Sequence, residues 1–124
     1  MKPATGVGRL TERAQFLAAR RGRRLNGPLF FVEALDRGDD GMPRIGFTIT
    51  RKVGNAVERN RIRRRLREAV RLNAGADMTR GFDYVVVARR ELLEAPFETI
   101  GKELSRRFRK TAASNEGRGA IPPR

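Results

Sequence analysis

The chain has 124 residues, of which 39% are hydrophobic, enough for one compact domain with short flanking segments. Its 28 Lys and Arg residues outnumber the 14 Asp and Glu residues, and the resulting net charge of +14 favours a polyanionic partner, above all nucleic acid. The absence of cysteine and histidine excludes a disulfide framework, a Cys/His zinc site, a cysteine nucleophile and an imidazole acid or base.

The two ends of the chain are rich in glycine, proline and small residues. We predict flexible tails over residues 1–8 and 112–124, flanking one domain over residues 9–111. The segment Met1–Gly8 lacks the apolar core of a signal peptide, and no apolar run approaches the roughly 18 residues that span a membrane. We therefore expect a cytoplasmic protein without a membrane partner.

In the first half of the chain, the pattern predicts a helix and then two strands. Thr11 can cap a helix that runs to about Arg20, before Gly22. Residues 27–37 are rich in strand-forming side chains, and residues 44–52 alternate, with Ile45 and Phe47 on the same side. The simplest interpretation pairs these two strands as a hairpin.

The second half predicts a helix, a buried strand and a last helix. Asn55 can cap a helix from Ala56 to about Asn73, with Glu58 completing a capping box. Residues 82–88 form a nearly continuous apolar run, as in a strand covered on both faces. A helix from Pro96 to about Lys110 follows, giving an α+β domain of order α-β-β-α-β-α. Its core is expected to include the phenylalanines Phe30, Phe31, Phe97 and Phe108.

The segment Arg51–Arg71 is strongly basic, with nine basic residues against two acidic ones. On a helical wheel one stripe is apolar: Ile62, Leu66, Ala69 and Val70. Another face carries Asn60, Arg63, Arg64, Arg67 and Arg71, with Arg61 and Arg65 beside it. The alternative to a polyanion-binding face is a merely solvated one, but like charges four residues apart cost about 0.2–0.5 kcal/mol each and acidic partners are scarce. The pattern therefore favours contact with phosphates.

Two residues at the start of this helix, Arg59 and Asn60, are expected to behave differently from the rest of the basic face. Arg59 lies towards the apolar stripe, so its stem is expected to be partly buried and its guanidinium rigidly held. Asn60 is a poor helix former in mid-helix, and its amide both donates and accepts hydrogen bonds. Asn60 is either a residue that the helix merely tolerates or one that contacts RNA.

The acidic residues Asp36, Asp39 and Asp40 are the one cluster that could suggest a metal-dependent nuclease. They share a loop with Gly38 and Gly41, where aspartate is favoured for turn geometry. We interpret them as turn residues and predict neither a catalytic residue nor a metal site in the protein.

Several segments resemble the protein subunit of bacterial ribonuclease P. The segment Lys52–Glu68 is similar to the family signature, in which an Arg-Asn-Arg triplet follows a Gly-Asn-Ala-Val turn. Arg44–Phe47, Asp83–Arg89, and Arg9-Leu10 followed by Phe16 resemble the family at suitable spacing. The resemblance covers roughly residues 9–110.

The resemblance implies a two-layer α-β sandwich like a domain of a ribosomal protein, with the basic helix in a left-handed crossover between parallel strands. It implies two partners, the catalytic RNA of ribonuclease P and precursor tRNA, in a 1:1 complex with a monomeric protein. The implied reaction is endonucleolytic removal of the 5′ leader of precursor tRNA, with Mg²⁺ held mainly by the RNA and no organic cofactor. Carried over, the residues that would face the catalytic RNA are Arg59, Asn60, Arg61, Arg63, Arg64 and Arg67. Arg51, Lys52 and Arg71 of the same basic segment complete the predicted RNA-binding set.

The resemblance further implies a cleft for the single-stranded leader between the first helix and the sheet. Phe16 would be its stacking platform and Phe47 a possible second wall. From the residues alone, the favoured interpretation of Phe16 is an ordinary core residue. Relatives often carry a second aromatic one turn after this position; here Arg20 or Arg21 would contribute charge instead.

Two other functions fit the composition. A structural ribosomal protein is equally small, basic and free of cysteine. A DNA-binding module is less well supported, because the basic helix lacks the preceding partner helix of a helix-turn-helix.

Overall fold

The computed structural model describes residues 6–120, with side chains through residue 111. In this part of the chain, five strands and three α-helices form one α+β domain. The strands are β1 (Gly8–Arg9), β2 (Arg23–Leu25), β3 (Phe30–Asp36), β4 (Arg44–Thr48) and β5 (Phe82–Ala88). The helices are α1 (Arg13–Ala19), α2 (Ala56–Leu72) and α3 (Phe97–Ala120), and short 3-10 helices cover Ala74–Asp77 and Arg90–Leu93.

The sheet has the strand order β1-β4-β5-β3-β2. Strand β5 lies between β4, to which it is parallel, and β3, to which it is antiparallel. The predicted hairpin of β3 and β4 is therefore wrong. Because β5 is apolar on both faces, it takes the centre of the sheet, where both faces are covered. The handedness of the crossover from β4 through α2 to β5 stays a prediction.

Helices α2 and α3 cover one face of the sheet and enclose the main core. The predicted apolar stripe of α2 is buried there, as are Ile100, Leu104 and Phe108 of α3. From the sheet, Tyr84 and Val86 of β5 join them. The amphipathic patterns of both helices are thereby confirmed, as is the α-β sandwich.

The opposite face of the sheet is covered in part by α1. Leu10, Ala19 and Val85 form a small second core there, with Phe16 packed against it. Phe31 is not in the main core, contrary to the prediction. Its neighbours Phe30 and Val32 point towards α2 and α3, so the alternation of β3 turns Phe31 to the other face, where it is half-buried.

The ends of several elements differ from the predictions. The N-cap of α1 is Glu12 instead of Thr11; the side chain of Gln15 accepts hydrogen bonds from both backbone amides. The predicted tails are too long, because Gly8 lies in β1 and α3 continues to Ala120. The rest of the predicted tails, residues 1–5 and 121–124, lies outside the described residues. No helix in residues 6–120 is both long and apolar enough to cross a membrane.

Candidate nucleic-acid interface

The start of α2 is held by a set of local hydrogen bonds. The Asn55 side chain accepts from the Glu58 amide at 2.8 Å, and the Glu58 carboxylate accepts from the Asn55 amide at 2.9 Å, as the capping box predicts. The bond from the Asn55 amide lowers the pKa of Glu58. Arg59 is half-buried and donates to the Gly54 carbonyl at 2.8 Å, which confirms the expected rigid guanidinium. The backbone entering the helix is therefore fixed on both sides of the turn.

Most of the predicted basic face of α2 is open to solvent. Asn60, Arg61, Arg64 and Arg67 are exposed, and Arg63 is half-buried with its guanidinium 3.1 Å from the Asn60 side-chain oxygen. A bond from Arg63 orients the Asn60 amide and leaves its NH₂ group for an outside acceptor. This arrangement presents several guanidinium groups along two turns of one helix.

Arg71 belongs to the same face but is already paired. Its guanidinium makes a bidentate contact with Glu68, at 2.9 and 2.8 Å. The pair raises the pKa of Arg71 and lowers that of Glu68. Arg71 therefore offers less free charge to phosphate than the exposed Arg64 or Arg67.

Arg65 is turned away from this face. It donates to the carbonyls of Leu92 at 2.9 Å and of Ala95 at 2.6 Å, in the connection between β5 and α3. Burial, followed by the charge of Arg61, lowers its pKa. Arg65 ties α2 to the neighbouring connection and is not available to an RNA partner.

Arg51 and Lys52 lie in the turn between β4 and α2. Both side chains are exposed. The turn is closed by a hydrogen bond from the Val53 amide to the Thr50 carbonyl at 3.0 Å, and Arg90 donates to the Val53 carbonyl at 2.7 Å. The two cations thus project from a fixed turn next to the N-terminus of α2.

A cleft of about 400 Å³ lies between α1 and α2, across the edge of β4. It brings together Phe16, Phe47, Arg63, Arg67 and Arg71 from the predicted set. Its other lining residues are Val7, Gly8, Arg9, Leu10, Ile45, Gly46 and Val70. Arg51, Lys52, Arg59, Asn60, Arg61 and Arg64 do not line it. The predicted residues therefore divide between this cleft and the outer face of α2.

Phe16 lies directly over Gly46 of β4. A Cβ atom on Gly46 would come within 2.5 Å of the Phe16 ring, so only glycine leaves the ring its place. Phe16 is half-buried: one part packs on the small core and the other lines the cleft. The ring is thus both a core contact and a cleft wall, and its role as a stacking platform stays a prediction.

Phe16 and Phe47 lie on opposite faces of the sheet. Phe47 is in register with Val86 and packs on the main core, whereas Gly46 is in register with Val85 and carries Phe16. They line one cleft because β1 pairs only with Arg44 and Ile45 and leaves the edge of β4 open beyond them. The cleft therefore passes around a strand edge, which differs from the predicted slot between α1 and the sheet.

The structure adds residues that the sequence pattern did not indicate. Arg9 lines the cleft from β1, a strand of two residues that is too short for a periodic signal. On the open sheet face, Arg24 lies over the Phe31 ring with its guanidinium carbon 3.7 Å from the ring centre. Arg89 lies 5.6 Å from the same ring centre. Arg20 and Arg21, which were already expected to contribute charge, are exposed just after α1.

The acidic loop has the turn geometry that its composition predicts. The Gly38 amide donates to Asp36 and the Gly41 amide donates to Asp39, each at 2.9 Å. Arg37 also binds Asp39 at 2.8 Å and, with the Gly41 amide, lowers the pKa of Asp39 to about 2. Among the described residues, no three acidic side chains converge on a point where a metal ion could bind.

Residues 6–112 match the family model described as Ribonuclease P. The chain is 49% identical over 116 residues to the ribonuclease P protein component of Brucella suis, covering 87% of this chain and 82% of the relative. It is 50% identical over 107 residues to that of Bartonella quintana, covering 82% and 80%.

Solved structures agree with the family match. The ribonuclease P protein of Thermotoga maritima aligns with a TM-score of 0.70 at 32% identity, covering 82% of this chain and 96% of that one. The Staphylococcus aureus protein aligns with a TM-score of 0.67 at 26% identity, covering 84% and 94%. From its sequence, its fold and these similarities, the chain belongs to the bacterial ribonuclease P protein family.

Proposed function

We propose that the chain binds the catalytic RNA of ribonuclease P and the 5′ leader of precursor tRNA, and thereby assists endonucleolytic removal of the leader. The observation that carries this proposal is the cleft that the Phe16 ring of α1 lines together with Arg63 and Arg67 of α2. An aromatic ring beside guanidinium groups suits single-stranded RNA, since bases stack on the ring and phosphates pair with the cations.

The outer face of α2 supports a separate role towards the catalytic RNA. Arg61 and Arg64 are exposed on a helix whose start is fixed by the capping box and by Arg59. The planar guanidinium group loses little freedom for each hydrogen bond that it forms with phosphate, and a fixed helix can position the RNA partner relative to the leader. Arg51 and Lys52 would extend this contact at the turn before α2.

The chemistry of the reaction is assigned to the RNA. The loop aspartates Asp36 and Asp39 are bonded to backbone amides, and Asp39 is paired with Arg37 as well. Mg²⁺ would therefore be held by RNA and substrate, where it can stabilise the attacking and leaving oxygens. The protein would neutralise phosphates and hold the substrate in place, as a monomer in a 1:1 complex with the RNA. Its cytoplasmic location stays a prediction.

The test is cleavage of a precursor tRNA by a bacterial ribonuclease P RNA at low Mg²⁺, with and without the protein. We expect cleavage to require both components, and the protein alone to be inactive. Cleavage by the protein without RNA would contradict the assignment of the chemistry. If the protein binds RNA tightly but leaves cleavage unchanged, the ribosomal-protein alternative is favoured, and sedimentation with ribosomal subunits would establish it.

A further inference from the structure

A second pocket, of about 350 Å³, lies where α3 passes the C-terminal end of α2. Its lining residues are Asn73, Glu98, Gly101, Lys102, Ser105 and Arg109. It shares no residue with the cleft between α1 and α2, and none of its residues belongs to the basic segment 51–71. The proposed function therefore leaves it without a role.

The pocket is lined by hydrogen-bond donors. Lys102 and Arg109 supply exposed cations, and Asn73 supplies a side-chain amide. Ser105 is only 8% exposed and lines the pocket with its hydroxyl-bearing side chain. Arg109 is held only loosely by Asp77, at 3.5 Å. Donors of this kind around one space suit a phosphate group.

Gly101 is a second and independent observation. Glycine is one of the least favourable residues in the interior of a helix, so it usually marks a place where a side chain would interfere. Here packing does not demand it, because a Cβ atom on Gly101 would meet only the Asn73 side-chain nitrogen, at an ordinary 3.6 Å. What the missing Cβ does provide is open space between Asn73 and Ser105.

The cations of the pocket continue beyond it along α3. Glu98 in the pocket and Asp77 next to it offset the charges of Lys102 and Arg109, and Asp77 contacts Arg109 directly. Arg106 and Lys110 continue along the exposed side of α3 beyond it. Like charges four residues apart disfavour a helix on its own, and a run of phosphates would offset that repulsion.

We propose that this pocket binds a backbone phosphate of the RNA partner, as a contact separate from α2 and the cleft. The proposal rests on the proposed function, because it takes the RNA to be the source of the phosphate. The exposed cations of α3 would then follow the same strand of RNA.

The first experiment follows backbone amide resonances by NMR during titration with inorganic phosphate. We expect saturable shifts at Lys102 and Ser105 that are lost in Gly101→Ala, although this variant should melt no lower than the parent protein. Shifts confined to α2 and the cleft would overturn the proposal. Unchanged shifts at Ser105 in Gly101→Ala would overturn the role of the open space.

The second experiment measures the salt dependence of binding to ribonuclease P RNA. Lys102→Ala should lower the slope of log K against log salt by about one unit, whereas Arg80→Ala, an exposed cation outside both pockets, should leave it unchanged. A third arm, Arg63→Ala/Arg64→Ala/Arg67→Ala, tests the proposed function itself. If only this arm changes the slope, the pocket does not contact an RNA phosphate, and the proposed function stands. If no arm changes it, the proposed function fails as well.

Discussion

Neighbouring arginines of α2 have different roles because their guanidinium groups have different partners. Arg64 is exposed, while Arg65 donates to backbone carbonyls in the connection between β5 and α3. A guanidinium bonded to several carbonyls stabilises the fold, whereas a solvated one contributes mainly to the electrostatic field. The chemical identity of a residue in a basic helix therefore does not by itself assign it to the interface.

Arg65→Ala should lower the free energy of unfolding by about 1–3 kcal/mol, since it leaves carbonyls of Leu92 and Ala95 without their donor. Arg64→Ala is the matched control and should change it by less than about 0.5 kcal/mol. Urea denaturation of both variants measures the difference. RNA binding should show the reverse order, with Arg64→Ala the weaker binder under conditions where both variants are folded.

Phe16→Ala should weaken binding of precursor tRNA more than binding of mature tRNA, because stacking on an exposed ring is worth about 1–3 kcal/mol per base. Phe16→Leu keeps an apolar contact over Gly46 and serves as the control for packing. Equal loss of affinity for both RNAs, together with a lower melting temperature, would place Phe16 in the core alone. Fluorescence titration with the two RNAs makes the comparison.

At the scale of the element, α2 joins a buried stripe to an exposed basic face. Ile62 and Leu66 are fully buried, so the orientation of the helix about its axis is fixed by the core. The face 180° away is then necessarily exposed, and its arginines are presented together. The N-terminal capping box and the bonds of Arg65 fix the helix at two further points.

Replacing Arg63, Arg64 and Arg67 by alanine should leave the fold intact and reduce the salt slope of RNA binding by up to about three units. The physical reason is that each phosphate contact releases condensed counterions. Filter binding over a range of salt concentrations, with circular dichroism as the check on folding, provides the measurement. An unchanged slope would mean that this face does not contact phosphate.

Glu68→Gln should strengthen RNA binding slightly, because it frees Arg71 from its bidentate ion pair. The pair is exposed and contributes little to stability, so the free energy of unfolding should hardly change. The same salt titration should show a steeper slope than that of the parent protein. A weaker affinity would indicate that the pair positions Arg71 for binding.

In the molecule as a whole, one buried carboxylate links the central strand of the sheet to two neighbouring arginines. Asp83 of β5 is 3% exposed and accepts hydrogen bonds from Arg37 and Arg44, each at 2.8 Å. Burial raises the pKa of Asp83, but the hydrogen bonds from Arg44 and Arg37 outweigh it, and the pKa is lowered. Arg37 also binds Asp39, so the network connects β5, β4 and the loop between β3 and β4.

The network predicts loss of stability in acid. A carboxylate whose pKa is lowered by folding contributes its full stability above the unfolded pKa of about 4, and this contribution is lost as the pH falls through the folded pKa. For Asp39 that pKa is about 2. Thermal unfolding should therefore show a falling melting temperature between about pH 4 and pH 2.

Asp83→Asn should make stability less dependent on pH in this window and lower it at neutral pH by about 2–3 kcal/mol. The cost is below that of a fully buried pair because Arg44 keeps part of its hydration. Asp40→Asn, at a side chain that is 95% exposed, is the control and should have no effect on the profile. If the melting temperatures of both variants fall equally as the pH is lowered, the acid sensitivity comes from other carboxylates.

The sequence by itself determined the elements whose signals are local. The capping box of α2, the apolar stripe of α2 and the limits of β5 agree with the structure, since they depend on residues within a few positions of one another. The basic face followed from the same periodicity. Family membership followed from the residues of the signature.

Only the tertiary structure decided what depends on distant residues. Strand order follows from hydrogen bonds between β5 and both β3 and β4, so the predicted hairpin was wrong although each strand was correct. Phe31 lies on the face opposite to the one predicted, because the register of β3 against β5 decides which of its side chains point to the main core. Arg65 has a structural role that the sequence pattern could not show, because its carbonyl partners lie about 30 residues away along the chain. The cleft, likewise, exists because β1 ends early and leaves the edge of β4 open, an arrangement that no local pattern encodes.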